Sequence, residues 1–218
     1  MKRVIAIDGP SGSGKTTIAR LIAKELGIHY LDTGALYRTA ALALIRHDIK
    51  PEDSDDKIRR ILKTTQIAFI NGRAYLNGRD VSEDIRSTEM DHYASVFSAR
   101  AVVRDFLLST QRNTGLKSEL VVEGRDTTTV VFPEAVKKIY LDASLEERAK
   151  RRFLQFREKG MHITLEESNE NLTNRDKRDT NRNIAPLKVA PDALLVDSSN
   201  LSVEQVMKKI LDFIRTDP

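Results

Sequence analysis

The segment Gly9-Pro10-Ser11-Gly12-Ser13-Gly14-Lys15-Thr16 matches the pattern G-x-x-x-x-G-K-[ST], which cradles nucleotide phosphates. Its glycines let the backbone fold tightly, so that successive N–H groups point at phosphate oxygens beside the N-terminus of the following helix. We expect Lys15 to reach the β- and γ-phosphates and Thr16 to ligate Mg²⁺, with Thr17 as the second candidate hydroxyl. The pattern predicts nucleoside triphosphate binding, and it leaves open whether the phosphate goes to water, to a protein or to a small molecule.

Two further segments combine arginine and carboxylate side chains at the ends of predicted strands. They are Asp32-Thr33-Gly34-Ala35-Leu36-Tyr37-Arg38 and Glu123-Gly124-Arg125-Asp126. An arginine fork binds the oxygens of a phosphate in a bidentate way that lysine cannot, which suits an acceptor monophosphate. The alternative is a structural ion pair beside a turn, because many arginines are simply paired with a carboxylate.

The elements that must position these segments are short β-type runs alternating with amphipathic helical segments. The five runs are Val4–Ile7, His29–Leu31, Leu120–Val122, Lys138–Leu141 and Ala193–Val196. Gly27 is placed to end the helix that follows the phosphate loop, and S/T-x-x-E/Q boxes predict later helix starts at Ser144, Thr164 and Ser202. The alternation predicts an α/β fold of the P-loop NTPase kind, a five-stranded parallel sheet flanked by helices, whose sites gather at the carboxyl ends of the strands.

The pattern changes between Thr65 and Ser82, where it predicts a small inserted antiparallel sheet. Tiny strands at 67–70, 74–76 and 79–81 are joined by Asn-Gly turns at 71–72 and 77–78. One helix, roughly Glu89–Gln111, is expected to follow, because apolar residues recur along it at helical spacing.

A basic stretch near the C-terminus predicts a helical, arginine-rich lid. Arg148, Arg151 and Arg152 fall at helical spacings and form one basic face. Gly160 is expected to end that helix, and a second helix leads to arginines 175, 178 and 182. A solvated charged face is the alternative, whereas arginines that close over bound nucleotides would neutralise charge on a moving phosphoryl group and exclude water.

The bulk composition excludes several other classes of protein. The chain has 218 residues, a net charge of +4 and 40% hydrophobic residues, as in an ordinary globular protein. It contains no cysteine, which excludes disulfides and thiolate metal sites and makes the reducing cytoplasm the expected location. No run approaches the roughly 20 apolar residues of a membrane-spanning helix, and the positive charge favours anionic partners.

In combination, these motifs are similar to those of the bacterial cytidylate kinase family. The resemblance is carried by Gly9–Thr17, Asp32–Arg38, Gly124–Asp126 with Val130–Pro133, and Arg175–Asp179 with Asn181-Arg182. It covers nearly the whole chain and implies one P-loop kinase domain over 1–218, with an acceptor-binding insert at about 63–97 and a lid at about 148–182. It also implies Mg²⁺-dependent, in-line phosphoryl transfer from ATP to CMP and dCMP, giving ADP with CDP or dCDP. The resemblance further implies a monomer with small-molecule substrates, which binds neither nucleic acid nor membranes.

The resemblance also implies roles for individual residues. The residues expected to surround the cytosine are Thr33, Ser95, Arg104 and Asp126, with Tyr37 beside it. The residues expected to bind the acceptor's phosphate are Arg38 and Arg125, and those expected to reach its ribose or phosphates from the far side are Arg175, Asp179 and Arg182. The catalytic set is then Lys15, Arg125, Arg178 and Arg182, with ATP bound by Gly9–Thr17 and Mg²⁺ by Thr16.

The chemistry of cytosine agrees with this assignment. Its N4 amino group is a donor and its O2 and N3 atoms are acceptors, so Asp126 can accept from the base while Arg104 donates to it. Uracil would present a carbonyl oxygen to the same carboxylate and be repelled. Two residues depart from the family, since similar proteins usually have glycine in place of Thr128 and often aspartate in place of Glu123. A β-branched residue would be costly if position 128 required a positive φ.

Three other functions remain open from the sequence. The first is a P-loop kinase for another small acceptor, such as uridylate or a phosphorylated metabolite. The second is a nucleic-acid-dependent ATPase, although aromatic residues are only 6% of the chain and no stacking motif interleaves with the arginines. The third is a nucleotide sensor without turnover.

Overall fold

A five-stranded parallel sheet forms the centre of the computed structural model, which describes residues 2–158, 160 and 163–216. Its strands are β1 (Val4–Asp8), β2 (His29–Asp32), β6 (Leu120–Gly124), β7 (Lys137–Asp142) and β8 (Leu194–Asp197). Their order across the sheet is β2-β6-β1-β7-β8, and every neighbouring pair is parallel. The five predicted strands and the predicted α/β class are thereby confirmed, and β1 lies at the centre, where its residues are fully buried.

Eight α-helices occur among the described residues. They are α1 (Lys15–Leu26), α2 (Thr33–Ile45), α3 (Asp55–Lys63), α4 (Thr88–Phe97), α5 (Ala101–Lys117), α6 (Leu145–Glu158), α7 (Leu165–Asn181) and α8 (Val203–Arg215). The predicted capping boxes are present at Thr164 and Ser202, which begin α7 and α8. Gly27 ends α1 in the left-handed conformation, with a φ of 63°, as glycine does more cheaply than other residues.

The alternation of side chains along β1 gives the sheet two hydrophobic faces. Ile5 and Ile7 pack with α1 and α8 on one face, whereas Val4 and Ala6 pack with α2, α3 and α5 on the other. Because both faces are covered by helices, the inner strands β1 and β6 are apolar until their last one or two residues, where acidic side chains collect.

The predicted insert is present as a separate antiparallel sheet of three strands. They are β3 (Ile67–Ile70), β4 (Arg73–Leu76) and β5 (Arg79–Asp80). Both Asn-Gly turns have positive φ at both residues, between 50° and 79°, which matches the twist of a tight hairpin. Apolar residues of this sheet pack on α2, which attaches the insert to the main sheet.

The single helix expected over 89–111 is wrong, because the chain forms two helices with a break at Ser98–Arg100. Arg100 has extended backbone and precedes α5. Its guanidinium donates to the carbonyl oxygen of Asp53 at 2.9 Å and to that of Pro51, before α3. The Ser98 carbonyl accepts from Arg104 at 3.2 Å instead of continuing the helix. Apolar spacing resumes after the break, which is why the sequence pattern does not reveal it.

The predicted lid region contains α6 and α7, joined through Gly160, whose φ is 70°. Residues 159, 161 and 162 of that region lie outside the described residues. Within the part of the chain that the structure describes, no helix is both long enough and apolar enough to cross a membrane.

Candidate active site

A cleft of about 750 Å³ opens at the carboxyl ends of the parallel strands. The phosphate loop forms its floor, the ends of β2 and β6 form one wall, and α4, α6 and α7 approach from the other side. Most residues that the sequence predicts as ligands line it, namely Ser11–Thr17, Thr33, Tyr37, Arg38, Ser95, Arg125, Asp126, Arg175, Asp179 and Arg182. The sheet topology thus brings the predicted donor and acceptor residues into one space.

The start of the phosphate loop packs directly against strand β7 of the sheet. Gly9 has a φ of 149°, and a Cβ atom there would overlap the carbonyl oxygen of Leu141 on β7. The Lys15 ammonium donates to the Pro10 carbonyl oxygen at 2.6 Å and to Ser13 Oγ at 3.3 Å. Burial and the positive charge of Arg125 lower the pKa of Lys15. Lys15 is therefore a desolvated cation at the turn of the loop, where added negative charge would stabilise it.

Glu123, at the carboxyl end of β6, is a site residue that the sequence does not assign. Its Oε1 atom accepts from the Thr16 hydroxyl at 2.5 Å and from the Tyr30 hydroxyl at 2.9 Å. Burial and the neighbouring charge of Asp32 raise the pKa of Glu123. The signal that could have identified it is an acid next to the last residue of a central strand. A threonine hydroxyl and a carboxylate side by side are the hard oxygen donors that Mg²⁺ prefers, so these residues fit that ion.

Asp126 is at the centre of a buried group of charged and aromatic side chains at the acceptor end of the cleft. Its carboxylate contacts Arg104 directly and Arg182 at 3.3 Å. The guanidinium of Arg104 lies over the Tyr37 ring, 5.5 Å from its centroid. Burial raises the pKa of Asp126, and the two arginines oppose that effect. The arrangement provides donors, an acceptor and an aromatic face in one pocket, as recognition of a polar base requires.

Two of the hydroxyls predicted to contact the cytosine, those of Thr33 and Ser95, are already hydrogen-bonded within the protein. The Thr33 hydroxyl donates to the Glu123 carbonyl oxygen at 2.7 Å, and the Ser95 hydroxyl accepts from Arg178 at 3.1 Å. Arg104 is buried behind Asp126 and is absent from the cleft lining, as is Arg178. Asp126 and Ser95 thus form the contact surface, with an arginine behind each.

Each arginine predicted to bind phosphate is paired with a carboxylate, which is a near neighbour in the chain for Arg38 and Arg175 and a distant residue for Arg125. Arg125 is paired with Asp179 of α7 at 2.9 Å and not with Glu123 or Asp126, the two carboxylates of its own segment. Arg38 is paired with Asp32 at 3.1 Å, the same residue that caps α2. Arg175 lies 4.0 Å from Asp179. These pairs hold three guanidinium groups at the cleft surface, where further N–H donors remain for an anion.

Asp91 of α4 is a second carboxylate that the sequence does not identify as part of the site. It is largely buried and contacts Arg152 of α6, Arg175 of α7 at 3.5 Å and Arg38 of α2 at 3.6 Å. Burial alone would raise the pKa of Asp91, but the three arginines outweigh it and lower the value to about 2. Asp91 therefore connects α4, at the end of the predicted insert, with both helices of the predicted lid region.

The arginines of the predicted basic face do not share one environment. Arg148 is buried and donates to the carbonyl oxygens of Ala143 at 2.9 Å and Ser11 at 3.1 Å, so it supports the phosphate loop from behind. Arg151 donates to the Ser198 carbonyl oxygen at 2.7 Å and lines the cleft. The predicted basic face thus divides into one structural arginine and two, Arg151 and Arg152, at the cleft.

A second end of the cleft was not predicted from the sequence. Its walls are the start of α8 and the exposed side of α6, with Gln155, Leu201, Ser202, Val203 and Val206 among the lining residues. The capping box at Ser202 indicates a helix start there but gives no indication of a ligand. The surface is mainly apolar and lies beside the phosphate loop, which suits the base of a donor nucleotide.

The turn after Asp126 explains why the threonine at position 128 is tolerated. Residues Thr127–Val131 form a single π-helical turn, and Thr128 is not among the residues with positive φ. The position therefore does not require glycine for its backbone conformation. Position 124 favours glycine for a different reason, which is space: a Cβ atom there would lie 2.5 Å from Thr33 Oγ1 and 2.6 Å from Thr127 Cγ2.

A parallel sheet with a phosphate loop after its central strand, and a cleft running from that loop to a cluster of arginines, defines a P-loop phosphotransferase. The model of the cytidylate kinase family matches residues 5–216. A cytidylate kinase of Thermosipho melanesiensis is 49% identical over 211 residues, which are 97% of this chain and 96% of that protein. The chain belongs to the cytidylate kinase family.

Other comparisons agree with that membership. A cytidylate kinase of Thermodesulfovibrio yellowstonii is 46% identical over 224 residues and covers 100% of both chains. The structure of an uncharacterized protein from Eubacterium ventriosum is similar with a TM-score of 0.57 and 12% identity, over 99% of this chain and 100% of that one, and this likeness concerns the fold alone. The predicted family and the predicted enzyme class, a nucleoside monophosphate kinase, are confirmed.

Proposed function

We propose that the protein transfers the γ-phosphoryl group of ATP in line to CMP and dCMP, giving ADP and CDP or dCDP. The observation that carries the proposal is that one cleft joins the phosphate loop to the buried group of Asp126, Arg104 and Arg182. The cytidylate kinase names of the relatives support the choice of acceptor.

ATP would occupy the phosphate loop, with its base on the apolar surface at the start of α8. Backbone N–H groups of the loop and Lys15 would bind its β- and γ-phosphates, and desolvation makes each of these interactions stronger than in water. Thr16, with Glu123 beside it, would hold Mg²⁺. That ion would supply charge neutralisation on the β- and γ-phosphate oxygens.

The acceptor base would bind between Tyr37, Ser95 and Asp126. The carboxylate of Asp126 has about four acceptor positions, and Arg104 and Arg182 use only part of them. It can therefore keep both arginines and also accept the N4 amino hydrogen of cytosine. The carbonyl oxygen of uracil at the same place would meet a negative charge, which disfavours UMP.

The acceptor phosphate would bind to Arg38, Arg125 and Arg175, which approach from α2, β6 and α7. This phosphate is ionised at neutral pH and is itself the nucleophile, so the reaction requires no general base. Rate then depends on alignment and on cations that stabilise the charge spread over the moving phosphoryl group. Arg178 of α7 and Arg182, the residue that directly follows this helix, would contribute when the lid region closes.

We also propose that the insert at about 63–97 binds the acceptor and that the segment at about 148–182 acts as the lid of a single kinase domain. The contacts of Asp91 with Arg152 and Arg175 support a mechanical link between the two regions. A cytoplasmic monomer without nucleic-acid or membrane partners is the corresponding proposal for the intact protein.

The test is a panel of acceptors, CMP, dCMP, UMP and AMP, offered to the purified protein with ATP and Mg²⁺ while ADP formation is measured. We expect CMP and dCMP to be phosphorylated far faster than UMP or AMP. A clear preference for UMP would overturn the assignment, and stimulation of ATP hydrolysis by RNA without transfer to CMP would indicate a nucleic-acid-dependent ATPase. ATP binding without any transfer would indicate a sensor.

A further inference from the structure

The last residue of the central strand, Asp8, has a buried carboxylate whose role the proposed mechanism does not explain. Asp8 has no exposed surface and directly precedes Gly9 of the phosphate loop. All four of its side-chain hydrogen bonds go to two residues on the acceptor side of the cleft, Thr127 and Thr128. A carboxylate has about four acceptor positions, so this one is saturated.

The four bonds are short and regular. Oδ1 accepts from the Thr127 backbone N–H at 3.0 Å and from the Thr127 hydroxyl at 2.7 Å. Oδ2 accepts from the Thr128 backbone N–H at 2.7 Å and from the Thr128 hydroxyl at 2.6 Å. Hydrogen bonds to an ionised acceptor are stronger than neutral ones, and both threonines are fully buried. We name this group of Asp8, Thr127 and Thr128 the carboxylate clamp.

The carboxylate clamp fixes the chain on both sides of Arg125 and Asp126, which are proposed to bind the acceptor. Asp8 pairs with Gly124 in the parallel ladder between β1 and β6, and its carboxylate binds Thr127. Arg125 and Asp126 are therefore held at both ends, by the strand on one side and by the carboxylate on the other. The Asp126 carbonyl oxygen also accepts from the N–H groups of Val130 and Val131, at 2.9 and 3.1 Å, which fixes the turn that follows.

We propose that Asp8 is a positioning residue for acceptor recognition, which acts through Thr127 and Thr128 to set the place of Asp126 and Arg125 relative to the phosphate loop. The inference rests on the proposed function, because Asp126 is taken to read the base. A displacement of about 1 Å in a reacting or recognising group can cost up to about 100-fold in rate, so rigid anchoring of this two-residue span affects turnover and selectivity. One carboxylate thereby sets the relative position of the donor and acceptor halves of the site.

The test uses Thr128→Val, which removes one hydroxyl of the clamp and keeps the shape of the side chain and the backbone bond. We expect KM for CMP to rise and the preference for CMP over UMP, as a ratio of kcat/KM, to fall about fivefold, which is less than the full contribution of a hydrogen bond to a charged group because the change reaches the base only through Asp126. KM for ATP should stay within about twofold, because the phosphate loop makes no bond to that hydroxyl. Thr128→Ser restores the hydroxyl and should restore the ratio.

The matched control is Thr129→Val in the same turn. Within the described residues the Thr129 hydroxyl finds no hydrogen-bond partner, so its removal should leave the CMP to UMP ratio unchanged. An unchanged ratio in Thr128→Val, a failure of Thr128→Ser to restore it, or an equal effect of Thr129→Val would overturn the positioning role. A fall in thermal stability with the ratio unchanged would assign the clamp to folding alone.

A second measurement separates this inference from the proposed function. Amide hydrogen exchange of residues 126–131 reports the clamp without turnover, and it should be faster in Thr128→Val than in Thr129→Val or in the unsubstituted protein. Equal exchange in all three overturns the clamp, even if CMP is the substrate. Failure of the unsubstituted protein to phosphorylate CMP overturns the proposed function, and with it the role of the clamp in recognition.

Discussion

The substitution Asp126→Asn changes one charge in the proposed cytosine site and leaves its shape nearly unaltered. Asp126 is only 4% exposed, and its side chain bonds to Arg104 and Arg182 and not to the phosphate loop. The asparagine amide keeps one acceptor oxygen and replaces the other with an NH₂ donor. By rotating, the amide can accept from the amino group of cytosine or donate to the carbonyl of uracil, so it no longer separates the two bases.

The size of the effect follows from these contacts. A hydrogen bond to a charged group contributes about 1.5–3 kcal/mol, so the preference for CMP over UMP should fall by about 10- to 150-fold. Most of the change should appear as slower reaction with CMP. Arg104 and Arg182 also lose a countercharge in a buried setting, and we expect the free energy of unfolding to fall by about 1–3 kcal/mol. KM for ATP should change little.

The assay is steady-state ADP formation at saturating ATP with CMP or UMP varied, accompanied by urea unfolding of each variant. Asp105→Asn is the matched control, since Asp105 is an exposed carboxylate on the same helix as Arg104. It should leave both the ratio and the stability unchanged. If folded Asp126→Asn keeps the original preference for CMP, the base is not read by this carboxylate and the acceptor site has been assigned to the wrong residues.

Three more predictions concern other parts of the cleft. Lys15→Met should lower kcat about 100-fold or more, because one such electrostatic group is worth about 3 kcal/mol in the transition state, and near-normal turnover of the folded variant would exclude the loop's catalytic role. Folding lowers the pKa of Asp91 from 3.8 to about 2, so its ionised form should contribute about 2 kcal/mol to the free energy of unfolding. This contribution is fully present above pH 3.8 and is lost as the pH falls through about 2. Urea unfolding should therefore give a stability difference from Asp91→Asn that shrinks over that range, and a pH-independent difference would contradict the pairing. Gly9→Ala should lower the free energy of unfolding by about 1–3 kcal/mol, because the backbone of Gly9 has a positive φ that alanine adopts only with strain. Overlap of the added methyl group with the Leu141 carbonyl oxygen should lower it further. A neutral effect in urea unfolding would contradict the close packing of Gly9 on Leu141.

The parts of the fold that could be predicted from the sequence are those encoded locally. The central strand is apolar from Val4 to Ile7 and ends at Asp8, and the phosphate loop follows it directly, so strand, loop and helix α1 are all evident from adjacent residues. The hairpins of the insert are marked by Asn-Gly turns whose positive φ few other dipeptides adopt. In each case the residues that determine the geometry are neighbours in the chain.

The parts that could not be predicted depend on residues far apart in the chain. The partner of Arg125 is Asp179, 54 positions away, and three arginines from three helices meet at Asp91. No spacing rule identifies such pairs, because any surface carboxylate is an equivalent candidate in the sequence. The break between α4 and α5 is similar, since it depends on Arg100 reaching the loop before α3. Glu123 and Asp8 were visible as acids at strand ends, but their partners were not.

The carboxylates of the cleft and its arginines have to be considered as one electrostatic unit. Charge counting predicts that Asp32, Asp91 and Asp179 weaken phosphate binding, because they lie among the cations that attract the phosphate. A guanidinium has five N–H donors, however, and an ion pair with a carboxylate uses at most two or three of them. The carboxylate keeps the arginine in a fixed place, so that less side-chain entropy is lost when the remaining donors bind phosphate. It also limits the mutual repulsion of cations before a substrate arrives. Loss of one such carboxylate should therefore weaken phosphate positioning even though it makes the cleft more positive, and charge counting alone would predict the opposite sign.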